Sequence, residues 1–150
     1  MGRRHVLDEN KTDAVLVALR AGLSESLDDL GKETVEKIEE GFDRGTDALG
    51  RQWEPLAPST IQQKGHATVL VEEGDLRESF DYDVQSSTLT LEIYSDDPKA
   101  RYHEFGTERM PKRPILQPAF KWAQTQGLGT VETTINDKLD GALGVSGGLM

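Results

Sequence analysis

The 150-residue sequence contains no cysteine, which excludes disulfide bonds, thiolate nucleophiles and cysteine-built zinc sites. It also lacks any apolar run of about eighteen residues, the length that a membrane span requires. Hydrophobic residues make up 35% of the chain and aromatic residues 6%, enough for one modest core in one domain. Residues 1–11 carry two arginines with no apolar stretch behind them, so we expect no secretory signal. These features predict a soluble protein used inside a cell or inside a particle assembled there.

Acidic side chains exceed basic ones, 27 to 17, for a formal net charge of −10. An acidic surface repels phosphate, which argues against a general nucleic-acid binder. Such a surplus is also typical of a halophilic host, because salt screens the self-repulsion. The charge is uneven: from Lys99 to Lys121, six basic residues oppose two acidic ones, a local balance of +4 that leaves −14 elsewhere. We interpret this basic island as a complementary contact surface; chance clustering on a solvated loop is the alternative.

Apolar periodicity predicts helices near both ends of the chain. A row of leucines at steps of three or four, from Leu16 to Leu30, predicts an amphipathic helix from about residue 13 to about residue 44, with Gly31 as a candidate kink. A last helix is expected from Pro118, and the glycines at 127 and 129 interrupt its pattern, which leaves both one helix and two helices open. We expect a single domain over 13–142, with a flexible N-terminus at 1–12 and a flexible tail at 143–150.

The middle of the chain predicts short elements. Trp53 lies among glycine and prolines, so we expect an ordered loop with this residue as its packing anchor. Short helical turns are expected at 59–64 and 75–79. Two alternating runs then predict a β-hairpin with a two-residue loop at 86–87. One face of that hairpin would carry the apolar residues Phe80, Tyr82, Val84, Leu89, Leu91 and Ile93.

Residues 100–120, ARYHEFGTERMPKRPILQPAF, combine aromatic, basic and proline residues. We call residues 106–114 the elbow. A short helical turn would precede it and end at Gly106, and Pro111 and Pro114 would hold it extended. Phe105 and Ile115 are expected to plug the core on either side. The expected framework residues are Trp53, Phe105, Gly106, Pro111 and Pro114, and the expected subunit or partner contacts are Arg101, Arg109, Lys112 and Arg113.

No motif predicts catalysis, a cofactor or a metal site. His103-Glu104 lacks the second histidine of a zinc-protease helix, since position 107 is threonine. The glycines form neither a phosphate loop nor a dinucleotide fingerprint, and no serine has a nucleophile-elbow frame. Asp96 and Asp97 lack a calcium loop and are more typical of a turn. We therefore interpret the chain as a non-enzyme.

Four short blocks in a fixed order carry a resemblance over about residues 50–122. The chain resembles the virion-morphogenesis and tail-completion proteins of long-tailed viruses of bacteria and archaea, which act in the neck or as minor tail proteins. In that family a W-x-P-L loop precedes a G-x-L-x-x-S turn, an aromatic Phe-Gly cluster and an x-P-x-R-P stretch. The matching residues are Trp53, Pro55, Leu56, Ser59, Thr60, Ile61, Gly74, Leu76, Arg77, Ser79, Tyr102, Glu104, Phe105, Gly106, Thr107, Pro111, Arg113, Pro114, Leu116 and Pro118.

The resemblance implies an α+β fold, with a long N-terminal helix and a C-terminal helix packed on a small antiparallel sheet with a β-hairpin. It implies a homo-oligomeric ring in the virion, six- or twelve-fold, assembled in the host cytoplasm. The ring would lie between head-connector and tail-tube or tail-terminator proteins, and an acidic lumen would let DNA pass without specific binding. Charge reversal at Lys112 with Arg113 is expected to block head–tail joining while the monomer stays folded. The alternatives are a small non-enzymatic regulatory module that recognises an acidic protein, and an enzyme with an unrecognised site.

Overall fold

A computed structural model of the chain describes residues 9–64 and 74–144. Its eight elements, in chain order, are α1 (Glu9–Arg44), α2 (Pro58–Lys64), α3 (Gly74–Glu78), β1 (Phe80–Gln85), β2 (Thr90–Ser95), α4 (Lys99–Phe105), α5 (Leu116–Thr125) and α6 (Leu128–Leu143). The expected α+β fold is confirmed. The flexible tails expected at 1–12 and 143–150 lie largely outside the described residues, and α1 already begins within the first of them.

Helix α1 extends over 36 residues, and its two halves have different surroundings. In the C-terminal half Ile38 and Phe42 are buried, whereas Leu16 and Val17 in the N-terminal half are 57% and 69% exposed. The helix continues through Gly31, where a side chain would collide with the ring of Tyr82 on β1. The glycine therefore allows the hairpin to approach the helix closely.

The hairpin lies across α1 with the expected faces. Strands β1 and β2 pair antiparallel, from Phe80 opposite Ser95 to Gln85 opposite Thr90. Five of the six predicted apolar residues alternate along the strands with exposed ones, whereas the sixth, Leu89, lies in the turn. The two-residue loop was wrong: residues 86–89 form the turn, and Leu89 has a φ of 51°. Tight two-residue turns depend on asparagine or glycine, which this stretch lacks, so the chain takes a longer connection.

The main core forms where α1, the hairpin and α5 meet. Phe42 packs edge-on against Trp53, with ring centroids 5.3 Å apart, and lies 5.9 Å from Phe80. Full burial of one such large apolar side chain contributes about 1.5–3 kcal/mol. The eight buried residues of this cluster are Ile38, Phe42, Trp53, Leu76, Phe80, Ala100, Ile115 and Ala119. Ile115 of this core directly follows the elbow in the chain.

The C-terminal region forms two helices, one of the two arrangements that the glycines at 127 and 129 left open, and α5 begins at Leu116, two residues before the expected start. Trp122 and Ala123 of α5 form a second small cluster with Leu30 of α1. A side chain at Gly127 would collide with Leu30, so the junction of α5 and α6 needs a residue without Cβ to pack against α1. From there α6 runs along α1, where Lys138 pairs with Glu25 at 3.0 Å.

Candidate partner interface at the elbow

The elbow begins at Gly106, whose backbone has φ 71° and ψ 172°. Only glycine adopts this region readily, so the residue type is set by the turn. The N–H of Gly106 donates to the carbonyl of Tyr102 at 2.8 Å. The Thr107 hydroxyl oxygen then accepts the N–H groups of Arg109 and Met110, at 3.2 and 3.1 Å. The loop is therefore held by its own hydrogen bonds before it contacts the rest of the chain.

Residues 53–55 fasten the far side of the elbow. The indole N–H of Trp53 donates to the carbonyl of Pro114 at 3.0 Å. Arg113 donates from Nε to the carbonyl of Glu54 at 2.8 Å and from Nη2 to that of Pro55 at 3.2 Å. Trp53 and Pro114 thus serve as framework residues. Hydrogen bonds join the first motif block, which contains Trp53 and Pro55, to the last block, which contains Arg113 and Pro114.

Glu104 caps helix α5 from eleven residues upstream. Its Oε1 accepts the N–H groups of Ile115 and Leu116 at 2.9 and 2.7 Å, and its Oε2 accepts that of Gln117 at 3.1 Å. The first N–H groups of a helix lack partners within the helix, and a carboxylate there also interacts favourably with the helix dipole. Sequence reasoning matched Glu104 to the family motif but missed this role.

For two of the predicted site residues, the structure shows the opposite burial from the one expected. Arg113, expected to face a neighbour, is only 6% exposed, and burial lowers the pKa of its guanidinium while the charge of Glu54 opposes that shift. Phe105, expected in the core, is 66% exposed, and that expectation is wrong. Ile115 is buried as expected. Because a carboxylate at position 113 would face two carbonyl oxygens, reversal of Lys112 with Arg113 would damage the monomer.

The outward surface of α4 and the elbow carries the remaining predicted contacts. We call Arg101, Tyr102, Phe105, Arg109 and Lys112 the elbow face; all five are exposed. Within residues 9–64 and 74–144, none of its three cations forms an ion pair. Beside them lies an open groove of about 590 Å³, lined in part by Phe105 and Lys112. Contact of this face with a neighbour stays a prediction.

Two further parts of the motif are Pro111 on the elbow and the second block, from Gly74 to Ser79, which lies on and just after α3. Pro111 is exposed on the elbow. Leu76 is fully buried, and Arg77 donates two hydrogen bonds to Asp43, at 3.0 and 3.1 Å. The Ser79 hydroxyl donates to the carbonyl of Leu76 at 2.6 Å and lies 2.6 Å from the Ser95 hydroxyl at the end of β2. These residues join α3 to α1 and to the hairpin.

The described part of the chain shows little sign of a reactive centre. There, no group of three histidine, cysteine or carboxylate side chains is arranged to hold a metal ion. None of the helices described has the length and hydrophobicity to cross a membrane. Asp97 lies in the expected turn after the hairpin, where its Oδ1 accepts the N–H of Lys99 at 2.9 Å. His103 is 4% exposed beneath the elbow.

Comparison with known proteins shows which family the chain belongs to. The sequence profile of the phage virion morphogenesis family matches residues 9–139, from the start of α1 into α6. The chain belongs to this family. An uncharacterized protein of Methanocaldococcus jannaschii is 30% identical over 115 residues, which cover 71% of this chain and 85% of that protein. No solved structure shows significant similarity. The family resemblance stated from the sequence is confirmed.

Proposed function

We propose that the chain is a non-enzymatic structural subunit of a tailed virion, in which identical copies form a ring at the head–tail junction. The ring joins the tail to the DNA-filled head and lets DNA pass. Membership of the phage virion morphogenesis family supports a role in virion assembly. The position at the neck and the ring itself go beyond family membership and are supported by the contacts of the motif residues and by the charge distribution.

The observation that carries this proposal is that the polar residues of the motif form hydrogen bonds to the main chain of the same subunit. Trp53, Glu104 and Arg113 are hydrogen-bonded to main-chain groups that hold the elbow and the start of α5. An enzyme would direct such polar groups at a substrate. Here they shape a rigid support, and the exposed cations and aromatic rings beside it are left for contact with another molecule.

The charge distribution supports a ring of identical copies. A basic face on an acidic subunit can contact a different, acidic face of the next copy, and such a head-to-tail contact forms a closed ring when the rotation between copies divides a full turn evenly. Six or twelve copies are proposed, between a head-connector protein on one side and a tail-tube or tail-terminator protein on the other. With −14 charges outside residues 99–121, an acidic lumen would repel DNA and let it slide.

Disruption of the gene in the virus or provirus that carries it tests this function. We expect DNA-filled heads and separate tails in the lysate, since both halves would assemble and fail to join. A wild-type copy supplied on a plasmid should restore complete particles. Normal particles without the protein, or loss of heads and tails alike, would contradict the proposal. A chain that stays monomeric and is absent from particles would favour a regulatory module instead.

A further inference from the structure

The solvent side of the hairpin carries acidic residues. Asp81 and Asp83 on β1 and Glu92 on β2 are exposed, opposite in direction to the apolar face that packs on α1. In the strand register Asp83 lies directly across from Glu92, and Asp81 across from Tyr94. We call Asp81, Asp83, Glu92 and Tyr94 the hairpin face.

Nothing in the described residues neutralises this face. None of its three carboxylates forms an ion pair with a lysine, arginine or histidine in 9–64 or 74–144. Like charges directly opposite in an antiparallel pair destabilise it, so the Asp83–Glu92 pair carries an electrostatic cost within the subunit. The pKa of Tyr94 is raised, chiefly by the charge of Asp83, as expected where negative charge is concentrated.

The elbow face has the complementary properties. Its cations Arg101, Arg109 and Lys112 are exposed and form no ion pair within the described ranges. Phe105 and Tyr102, 66% and 52% exposed, provide apolar area between these charges. The elbow itself is fixed by the bonds to Glu54, Pro55 and Trp53, so the cations are presented on a rigid support. One chain thus carries a basic face and an acidic face on different elements, and neither forms an ion pair within the part of the chain that the structure describes.

We propose that the elbow face of one copy docks on the hairpin face of the next copy. This inference rests on the ring proposed above and deepens it by naming the two surfaces. A second copy is the occupant that the charges favour, because both halves of a complementary pair are present in each subunit. Since the two faces differ, the contact is heterologous and can repeat around a closed ring. A cation placed between Asp83 and Glu92 would also relieve their mutual repulsion.

Paired charge reversals test the contact in the full-length chain. The hairpin variant is Asp83→Lys with Glu92→Lys, which keeps like charges opposite each other, so repulsion within the hairpin stays similar. The elbow variant is Arg109→Glu with Lys112→Glu. Sedimentation velocity over a concentration series should show self-association weakened about tenfold or more in each variant. The chain with all four substitutions should associate again, because every interface in the ring then regains opposite charges.

Matched controls carry the same charge changes elsewhere. Glu132→Lys with Asp137→Lys on α6 matches the hairpin variant, and Lys32→Glu with Arg44→Glu on α1 matches the elbow variant; all four positions are exposed and lie outside the basic island. Both controls should associate like the wild type. Circular dichroism verifies folding. If the hairpin reversal is unfolded, the neutral pair Asp83→Asn with Glu92→Gln replaces it; if the elbow reversal is unfolded, Arg109→Gln with Lys112→Gln replaces it. Each neutral pair should associate more weakly than the wild type.

The outcomes separate this inference from the proposed function. If the wild type forms rings that neither reversal weakens, or if the fourfold chain does not recover, the contact is overturned while the ring proposal stands. If only the elbow variant fails to join heads to tails and both variants still form rings, the elbow binds a different virion protein. If the wild type stays monomeric at every concentration, both the ring and this contact are contradicted.

Discussion

The indole N–H of Trp53 donates to the main-chain carbonyl of Pro114 at 3.0 Å, across 61 positions of sequence. The same ring packs edge-on against Phe42 of α1. Trp53 therefore connects three parts of the molecule: the long helix, the loop that follows it and the elbow. This side chain of the first motif block, together with the bonds that Arg113 donates to Glu54 and Pro55, holds the last block in place.

Trp53→Phe should lower the free energy of unfolding by about 2–3 kcal/mol. Phenylalanine retains part of the packing on Phe42. It removes the hydrogen-bond donor of the Pro114 carbonyl, and its smaller ring creates a small cavity in the core. Trp122→Phe is the matched control, because Trp122 is equally buried and no hydrogen bond of its indole occurs within the described residues. Denaturant unfolding should show a clearly smaller loss for this control. Equal losses would mean that the hydrogen bond contributes nothing.

Glu104→Gln should destabilise the protein by about 1–3 kcal/mol. A neutral amide presents a donor group to one of the three N–H groups at the start of α5, and it removes the favourable charge at the helix N-terminus. Glu108→Gln changes the same chemistry at an exposed position and should alter stability by less than about 0.5 kcal/mol. Thermal and denaturant unfolding of the two variants would compare them, and a similar effect at both positions would refute the capping role.

Gly106→Ala should cost more than about 2 kcal/mol of stability. Its backbone conformation is unfavourable for any residue with a Cβ, and that Cβ would lie 3.0 Å from the carbonyl oxygen of Met110. Gly50 also has a positive φ, 82°, but open space around it. Gly50→Ala should therefore cost about 1 kcal/mol, from backbone strain alone. A denaturation midpoint for Gly106→Ala equal to that of Gly50→Ala would argue against a tightly packed elbow.

Replacement of each elbow arginine by methionine should distinguish the arginine that stabilises the monomer from the arginine that contacts a neighbouring copy. Arg113→Met leaves the carbonyls of Glu54 and Pro55 without donors and should destabilise the monomer by about 2–3 kcal/mol. Arg109→Met removes an exposed charge and should change stability by less than about 0.5 kcal/mol while it weakens self-association. Unfolding and sedimentation of both variants test this division. If Arg109→Met destabilised the monomer as strongly as Arg113→Met, the distinction between the buried and the exposed arginine would be lost.

The parts of the fold that depend on local patterns were predictable from the sequence. The long helix and the apolar face of the hairpin follow from periodicity, and the two short helical turns follow from capping residues. Gly127 and Gly129 left open the division between α5 and α6 that the structure shows. The length of the hairpin turn was not predictable. Without an Asn-Gly signal it depends on how the strands pack on α1. The resemblance to the virion morphogenesis family also came from local motifs, and the family match confirms it.

The errors at the elbow arise from tertiary structure. Arginine is usually exposed and phenylalanine usually buried, and Arg113 and Phe105 reverse both tendencies. Helix α4 has seven residues, too few for periodicity to show which face lies inward. The partners of Arg113 are main-chain carbonyls almost sixty positions away, and no sequence pattern marks them. The halophilic host suggested by the acidic composition stays a prediction.

The position of the chain in purified particles tests the account most directly. An antibody against the chain, coupled to gold and imaged on purified virions by electron microscopy, should mark the junction between head and tail in most particles. Detached tails or heads should carry the label only at the end that joins. Particles free of label, with the chain recovered from the lysate as a monomer, would contradict a structural role at the junction.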